Sequence, residues 1–333
     1  MFKIICYGVR PNEVELFNRL NKYDYQLTLE ETLLSHDNIE TAQNHDAVLL
    51  RGNCVADRQN LAKMKEFRIR YVFTRTVGYN HIDLEAAEEF DQIVARVPGY
   101  SPNSVAELAL TLGMTLLRNV QYTANLTSQA DFRVTPRMFS REIRNCTVGI
   151  IGVGQIGLVE AKLYQGLGAK VIGYDIYQSD EAKKAIEFTD LDSLIQQSDI
   201  ISLHLPYFKG ENDNFVDQSF ISKMKNDAII VNTARGELVD LEAVADAIES
   251  DKLYGFATDV IPNEARTYFK QFDSIDQIED PQLVRLMKQY PKVLITPHVG
   301  SNTDEAVKNM IEYSYENFHE VLNHGTCKNL LTK

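Results

Sequence analysis

Three short apolar runs in the second half of the chain each lead to a residue that can handle charge or a proton. Ala228 to Asn232 leads to Thr233-Ala234-Arg235-Gly236, Tyr254 to Val260 leads to Pro262-Asn263-Glu264, and Val293 to Thr296 leads to Pro297-His298. A guanidinium can hold a carboxylate through two parallel hydrogen bonds. An imidazolium can give a proton to a carbonyl oxygen as its carbon is reduced. A carboxylate beside that imidazole can orient it and steady its charge. Arg235, Glu264 and His298 therefore form a candidate catalytic set for reducing a 2-oxo acid. Singly, each has an ordinary explanation: a surface ion pair, a solvated acid, a loop histidine. Their meaning comes from occurring together, after a nucleotide-binding signature.

That signature lies between Thr147 and Asp175. An apolar run, Thr147 to Ile151, is followed by Gly152-Val153-Gly154-Gln155-Ile156-Gly157, a complete G-x-G-x-x-G. A helical stretch from Leu158 to Leu167, a glycine and a second apolar run, Lys170 to Tyr174, lead to Asp175. The order strand, glycine turn, helix, strand, acid is the context a dinucleotide site requires. Gly152 makes the turn, Gly154 lets the backbone approach a pyrophosphate, and Gly157 lets helix and sheet pack closely. The helix N-terminus offers free N–H groups and a positive dipole end to the phosphates. Asp175 stands 18 residues after Gly157, where an acid accepts from both ribose hydroxyls and repels a 2′-phosphate. NAD is thus favoured over NADP.

The elements that must position these groups alternate between strand and helix along most of the chain. In residues 1–99 strands are expected at Lys3 to Gly8, Gln26 to Glu30, Ala47 to Leu50, Tyr71 to Arg75 and Ile93 to Val97. Helices are expected at Asn12 to Asn21, Asp37 to Gln43, Asn60 to Phe67 and Leu84 to Phe90. This is the pattern of a small parallel α/β domain, and it lacks a phosphate fingerprint. The punctuated stretch Val97-Pro98-Gly99-Tyr100-Ser101-Pro102 is a crossing point. It leads into a long apolar helix, Val105 to Leu117, that must be buried in a domain or subunit interface. Alternation resumes after the glycine motif, giving a doubly wound sheet whose ligands sit beyond the carboxyl ends of its strands. The closing helix, Asp304 to Asn323, is expected to return to the first domain, and its strand-free tail is not expected to extend the sheet. The expected architecture is α/β, with two Rossmann-like or flavodoxin-like domains, parallel sheets and an active site in the interdomain cleft. The substrate domain comprises 1–99 plus 300–333, and the NAD-binding domain 100–299.

Length and composition agree with a two-domain globular protein: 333 residues, 44% apolar,. A formal net charge of −13 argues against nucleic acid or an anionic membrane as partner,. Four cysteines, Cys6, Cys54, Cys146 and Cys327, show no metal-ligand spacing and read as buried reduced thiols,. No metal site is expected. No apolar run reaches the roughly 18 residues of a membrane span. The opening Met1-Phe2-Lys3-Ile4-Ile5-Cys6 reads as a strand rather than a secretory leader, so a cytoplasmic protein is expected.

Several segments together resemble the NAD-dependent D-2-hydroxyacid dehydrogenases, in the group with D-lactate, D-2-hydroxyisocaproate and (R)-2-hydroxyglutarate dehydrogenases. They are Arg75-Thr-Val-Gly-Tyr-Asn-His-Ile-Asp83, Val97-Pro-Gly-Tyr-Ser-Pro102, Val148-Gly-Ile-Ile-Gly-Val-Gly-Gln-Ile-Gly157, Asn232-Thr-Ala-Arg-Gly-Glu-Leu-Val-Asp240 and Ile295-Thr-Pro-His-Val-Gly300. The resemblance implies reduction of a 2-oxo acid to the (R)-2-hydroxy acid with NADH by hydride transfer, in a homodimer, with the apolar helix from Val105 a candidate interface. It implies Arg235 as carboxylate binder, Glu264 as the partner of the histidine and His298 as acid/base. It further implies that the backbone N–H groups of Val77 and Gly78 cradle the substrate carboxylate while Tyr100 borders the pocket. For the cofactor it points to Gln155 and Ile156 at the pyrophosphate, Asp175 at the ribose and Leu205-Pro206 along the molecule. Asn212, Thr233, Ala234 and Asp259 complete that set, Asp259 near the nicotinamide amide.

Arg51, in Leu49-Leu50-Arg51-Gly52-Asn53-Cys54, falls where the resemblance implies contact with the side chain of the bound acid. D-lactate enzymes of lactic bacteria tend to carry an aromatic there, whereas Arg-Gly-Asn-Cys resembles the 2-hydroxyglutarate member. A guanidinium here could pair with a second substrate carboxylate. Equally, it could pair with a neighbouring acid and shape a pocket for a short acid such as pyruvate. Rival readings are an NAD-sensing corepressor-like protein on the same scaffold and phosphoglycerate dehydrogenase, which expects basic residues for a phosphate. Formate dehydrogenase is disfavoured because Glu264 gives the histidine an acid partner.

Overall fold

The computed structural model describes residues 1–332; Lys333, the last residue of the expected substrate domain, lies outside them. The chain divides into two compact units, Met1–Ser101 with Asn302–Lys333, and Pro102–Ser301. The boundaries fall two residues beyond the expected ones, and at the first of them the Tyr100 carbonyl accepts from Asn309 Nδ2 at 2.6 Å within the first unit.

The first unit is built on β1 (Lys3–Tyr7), β2 (Gln26–Glu30), β3 (Ala47–Leu50), β4 (Tyr71–Thr74) and β5 (Ile93–Ala95). All pair in parallel in the order β2-β1-β3-β4-β5, the flavodoxin-like arrangement. The central runs are apolar on both faces because helices cover both. α1 (Val14–Leu20) and the C-terminal helix (Asp304–His324) pack on one face through Phe17, Ile311, Tyr315 and Phe318. α2 (Arg58–Glu66) and α3 (Leu84–Glu89) pack on the other through Leu61, Met64, Ala86 and Ala87. Asp57 and Asp83 start α2 and α3 by accepting from the N–H groups of Asn60 and Ala86,. The helix expected at Asp37 to Gln43 is only a short 3-10 turn, Ile39–Ala42. The tail, expected not to extend the sheet, does pair with its edge at one bridge. Leu330 bridges Ala95 in antiparallel fashion and Leu331 N–H donates to Val94 at 2.8 Å, covering the open side of edge strand β5.

The second unit holds β6 (Thr147–Ile151), β7 (Lys170–Tyr174), β8 (Glu187–Phe188), β9 (Ile200–Leu203), β10 (Ala228–Asn232), β11 (Leu253–Thr258) and β12 (Val293–Ile295). Their order is β12-β11-β10-β9-β6-β7-β8, all parallel. The chain runs outward from β6 to β7 and then returns to β9 on the other side, so the topological switch lies at β6 and β9. Its helices are α4 (Pro102–Leu117), α5 (Val120–Ser128), α6 (Gln155–Gly166), α7 (Asp180–Ala185), α8 (Leu191–Gln197), α9 (Gln218–Lys223), α10 (Leu241–Glu249) and α11 (Pro281–Met287). The apolar helix α4 buries Ala109, Leu112, Leu116 and Leu117 against Ala161 and Tyr164 of α6 and Val231 of β10. Most of its apolar content thus serves the core of its own unit, while Leu108, Leu110 and Met114 stay half-buried.

Candidate active site

The register of the second sheet lines up the chemistry. Ile151 pairs with Tyr174 and with Leu203, Leu203 with Asn232, Asn232 with Thr258, and Thr258 with Ile295. The residues that follow these strands therefore emerge at one carboxyl edge. Gly152, Asp175, Leu205-Pro206, Thr233 to Arg235, Asp259 and His298 all belong to that edge.

The glycine turn has the shape its spacing implied. Gly152 has φ +91°, and a Cβ there would sit 2.7 Å from the carbonyl carbon of His204. At Gly157 a Cβ would overlap the Gly152 carbonyl oxygen. Beside Gly154 a Cβ would meet nothing within 4 Å, so the face toward the α6 N-terminus is open. Gly154 and Gln155 are exposed and Ile156 half-buried there. This open cradle on a helix N-terminus fits a pyrophosphate. Asp175 braces it: one carboxylate oxygen accepts from Val153 N–H at 2.6 Å, the other from Tyr177 N–H at 2.8 Å. Asn212 is employed within its own loop, donating to the Pro206 carbonyl at 2.8 Å and accepting from Phe208 N–H at 2.7 Å. It thereby holds the Leu205-Pro206 segment that is expected to run along the cofactor. Thr233 and Ala234 are buried, and among the described residues the Thr233 hydroxyl has no hydrogen-bond partner.

Among the candidate catalytic residues, His298 and Glu264 are in direct contact. The Nδ1 of His298 lies 2.7 Å from Glu264 Oε2. The imidazole side chain is 39% exposed and the carboxylate 16%, so one face of the ring remains accessible. His298 has φ +53°, a backbone conformation uncommon for a residue with a side chain. Its N–H is held by the Asp259 carbonyl at 2.9 Å. Asp259 is itself buried and accepts from Thr296 Oγ1, Val299 N–H and Gly300 N–H. Burial raises its pKa, and those hydrogen bonds oppose the rise. Arg235 is half-buried, and its guanidinium donates to the Ala234 carbonyl at 2.6 Å. The Arg235 loop abuts the loop carrying Glu264, since a Cβ on Gly236 would overlap Ile261 and Pro262 backbone.

In the first unit Val77 and Gly78 follow β4. Neither backbone N–H finds an acceptor among the described residues, so two adjacent donors remain for an anion. Arg51 follows β3, half-buried, its stem against Gly8. Burial, then the charges of Arg75 and Arg10, push its pKa down to about 10. Arg75 is itself buried and bonds the Gly8 carbonyl at 2.8 Å and Glu13 at 2.9 Å. Sequence reading overlooked Arg10, Glu13 and Arg75, although the strand-end rule points to Arg75 as it does to Arg51.

Comparisons with known proteins place the chain in a family. Residues 110–300 match the family model "D-isomer specific 2-hydroxyacid dehydrogenase, NAD binding domain". An aromatic 2-oxoacid reductase of Clostridium sporogenes is 37% identical, with 98% of each chain covered. The chain belongs to the D-2-hydroxyacid dehydrogenase family. A D-lactate dehydrogenase of Lactiplantibacillus plantarum is 34% identical, with 97% of each chain covered. Among solved structures, the D-lactate dehydrogenase with NAD+ from Lactobacillus jensenii superposes with a TM-score of 0.85 at 32% identity, over 100% of both chains. The protein is thus an NAD-dependent oxidoreductase that interconverts 2-oxo and (R)-2-hydroxy acids. Among the described residues no helix is long and apolar enough to cross a membrane, and no group of three or more His, Cys, Asp or Glu could hold a metal ion.

The geometry of the glycine turn makes a first prediction. Asp175→Ser removes the negative charge and the carboxylate that braces the turn. Its kcat/KM with NADH is expected to fall about 10- to 100-fold, the cost of a hydrogen bond to a charged group. The preference for NADH over NADPH should narrow. Steady-state kinetics with both cofactors check this; an unchanged ratio would contradict it.

Proposed function

We propose that Arg235, Glu264 and His298 perform the chemistry of the family in this chain. The observation that carries this reading is the 2.7 Å contact between His298 Nδ1 and Glu264 at the carboxyl edge of the dinucleotide-binding sheet. With Nδ1 engaged, Nε2 is left to give its proton to the carbonyl oxygen of the substrate. Glu264 fixes the ring and stabilises its cationic form. Arg235 turns from the Ala234 carbonyl to hold the substrate carboxylate through two hydrogen bonds. NADH, held by the glycine turn and Asp175, would supply the hydride for the carbonyl carbon. The free N–H groups of Val77 and Gly78 take part in binding the carboxylate, and Tyr100 borders the substrate. Gly152, Gly154, Gln155, Ile156, Gly157, Asp175, Leu205, Pro206, Asn212, Thr233, Ala234 and Asp259 form the cofactor site.

For the substrate side chain, the charge around Arg51 favours a dicarboxylic 2-oxo acid. The guanidiniums of Arg10, Arg51 and Arg75 influence one another, and Glu13 is the carboxylate acting on Arg51. Glu13 is already bonded to Arg75. A second substrate carboxylate entering beside three guanidiniums and one carboxylate would meet a net positive field,. 2-Oxoglutarate is therefore expected to exceed pyruvate, 2-oxoisocaproate and phenylpyruvate in kcat/KM. Arg51→Leu should lower its kcat/KM about 10- to 100-fold while sparing the monocarboxylates. Arg51 as a pocket-shaping residue for small acids predicts instead that pyruvate leads. A ranking led by a monocarboxylate, unaltered in Arg51→Leu, would refute the dicarboxylate reading. Turnover with any of these acids also separates the enzyme from a corepressor-like NAD sensor.

A homodimer and a cytoplasmic site belong to the same proposal. Val120, Phe132, Val134 and Phe139 are exposed in the segment after α4, an apolar surface suited to a second copy. The cysteines are all buried and free, as a reducing compartment allows. Sedimentation equilibrium reads the dimer directly.

A further inference from the structure

β4 and β5 are neighbours, so the loop after one lies beside the residue after the other. That residue is Arg96. Its main chain is pinned on both sides: its N–H donates to the Asn329 carbonyl at 3.1 Å, and its carbonyl accepts from Asn317 Nδ2 at 2.9 Å. The next residue, Val97, donates its N–H to the Thr76 carbonyl at 3.1 Å. The Arg96 side chain then reaches back over the β4 loop. Its Nη1 donates to the Val77 carbonyl at 3.3 Å, and its guanidinium lies 5.3 Å from the centre of the Tyr79 ring. Its partners here are a carbonyl and an aromatic face, not a carboxylate, so its charge is left available to the loop.

The Val77 carbonyl and the Gly78 N–H belong to one peptide group. A cation bonded to the oxygen draws electron density through the amide and makes the N–H a stronger donor. The positive charge also acts through space on an anion at the far side of that peptide. The neighbouring peptide is held by Thr76, whose hydroxyl donates to the Gly78 carbonyl at 2.8 Å. Thr76 Oγ1 is in turn 2.8 Å from Thr74 Oγ1. The loop is thus oriented from below by two threonines and polarised from the side by one arginine.

We propose that Arg96 is a positioning residue for the 2-oxo acid, strengthening the Val77–Gly78 peptide as a carboxylate donor. The proposal rests on the reading that this peptide meets the substrate carboxylate. The guanidinium need not touch the substrate; it acts through the amide and through its field. Tyr79 helps hold it over the loop by a cation–π contact,.

Arg96→Leu, Arg96→Lys and Thr76→Val test it, each measured for KM of the 2-oxo acid, kcat, KM of NADH and Tm. Arg96→Leu should raise the substrate KM about tenfold, with kcat, NADH KM and Tm little changed. Arg96→Lys, which keeps the charge without the planar fork, should fall between it and the parent. Thr76→Val releases the Gly78 carbonyl and should raise the same KM. If Thr76→Val raises KM and Arg96→Leu does not, the loop binds carboxylate but Arg96 has no part, and the proposal is overturned. If neither moves KM, the carboxylate reading of the loop falls with it. A parallel loss of Tm, kcat and NADH affinity in both Arg96 variants would mark a structural residue and also overturn it.

Discussion

Replacing His298 with alanine is expected to lower kcat for 2-oxo acid reduction by about 10²- to 10⁴-fold, the usual weight of a positioned general acid. The imidazole is held at Nδ1 by Glu264 and through its own backbone by Asp259. Alanine removes the proton donor and leaves both anchors in place. NADH binding should change little, because Gly152, Gly154 and Asp175 lie after β6 and β7, on strands distant in the sheet from β12. Glu264→Gln should cause a smaller loss in kcat. The amide still reaches Nδ1, but it carries no charge to stabilise the imidazolium. Steady-state kinetics and a fluorescence titration with NADH separate these effects. A His298→Ala enzyme within a few-fold of the parent would remove His298 from its role.

The second large effect is expected at Arg235. Removing one partner of a desolvated, hydrogen-bonded charge pair costs about 2–5 kcal/mol, or roughly 30- to 4,000-fold in kcat/KM. Arg235→Ala should lose this amount for every 2-oxo acid, because all share the carboxylate. Arg235→Lys should recover only part of it, since a point charge does not reproduce two parallel hydrogen bonds. The contrast with Arg51→Leu is informative, as that variant should discriminate between acids. Loss confined to dicarboxylic acids in Arg235→Ala would mean that Arg235 contacts the distal end of the substrate instead.

Much of the second unit was readable because its signals are local. The glycine spacing encodes a turn that excludes a Cβ at Gly152 and leaves Gly154 open. The apolar runs before Arg235 and His298 are buried strands of a parallel sheet, and such strands end where ligands bind. Short or weakly buried helices escaped. α5 contains no buried residue, so it has no periodicity to detect. α7 and α11 have only six and seven residues, under two turns of helix, too short for an apolar period to stand out, and are marked chiefly by their caps, Ser179 and Asp280. The φ of His298 and the turn of Arg235 onto the Ala234 carbonyl have no signature in residue order. The same holds for the charge cluster of Arg10, Glu13, Arg51 and Arg75. Its members come from three strand ends and become neighbours only when β1, β3 and β4 pair. Arg51 was singled out from the sequence, but Arg10, Glu13 and Arg75 were given no role there, and Arg75 and Glu13 are buried. Arg96 was hidden similarly, because its contact with Val77 depends on β5 lying beside β4.

The most direct measurement is a crystal structure of the enzyme with NADH and an unreactive carboxylate analogue of a 2-oxo acid. The analogue carboxylate should be bonded by the Arg235 guanidinium, and its carbonyl-equivalent oxygen should lie within hydrogen-bond distance of His298 Nε2, with Glu264 still on Nδ1. An analogue bound beside the nicotinamide with Arg235 and His298 both directed elsewhere would contradict the assignment.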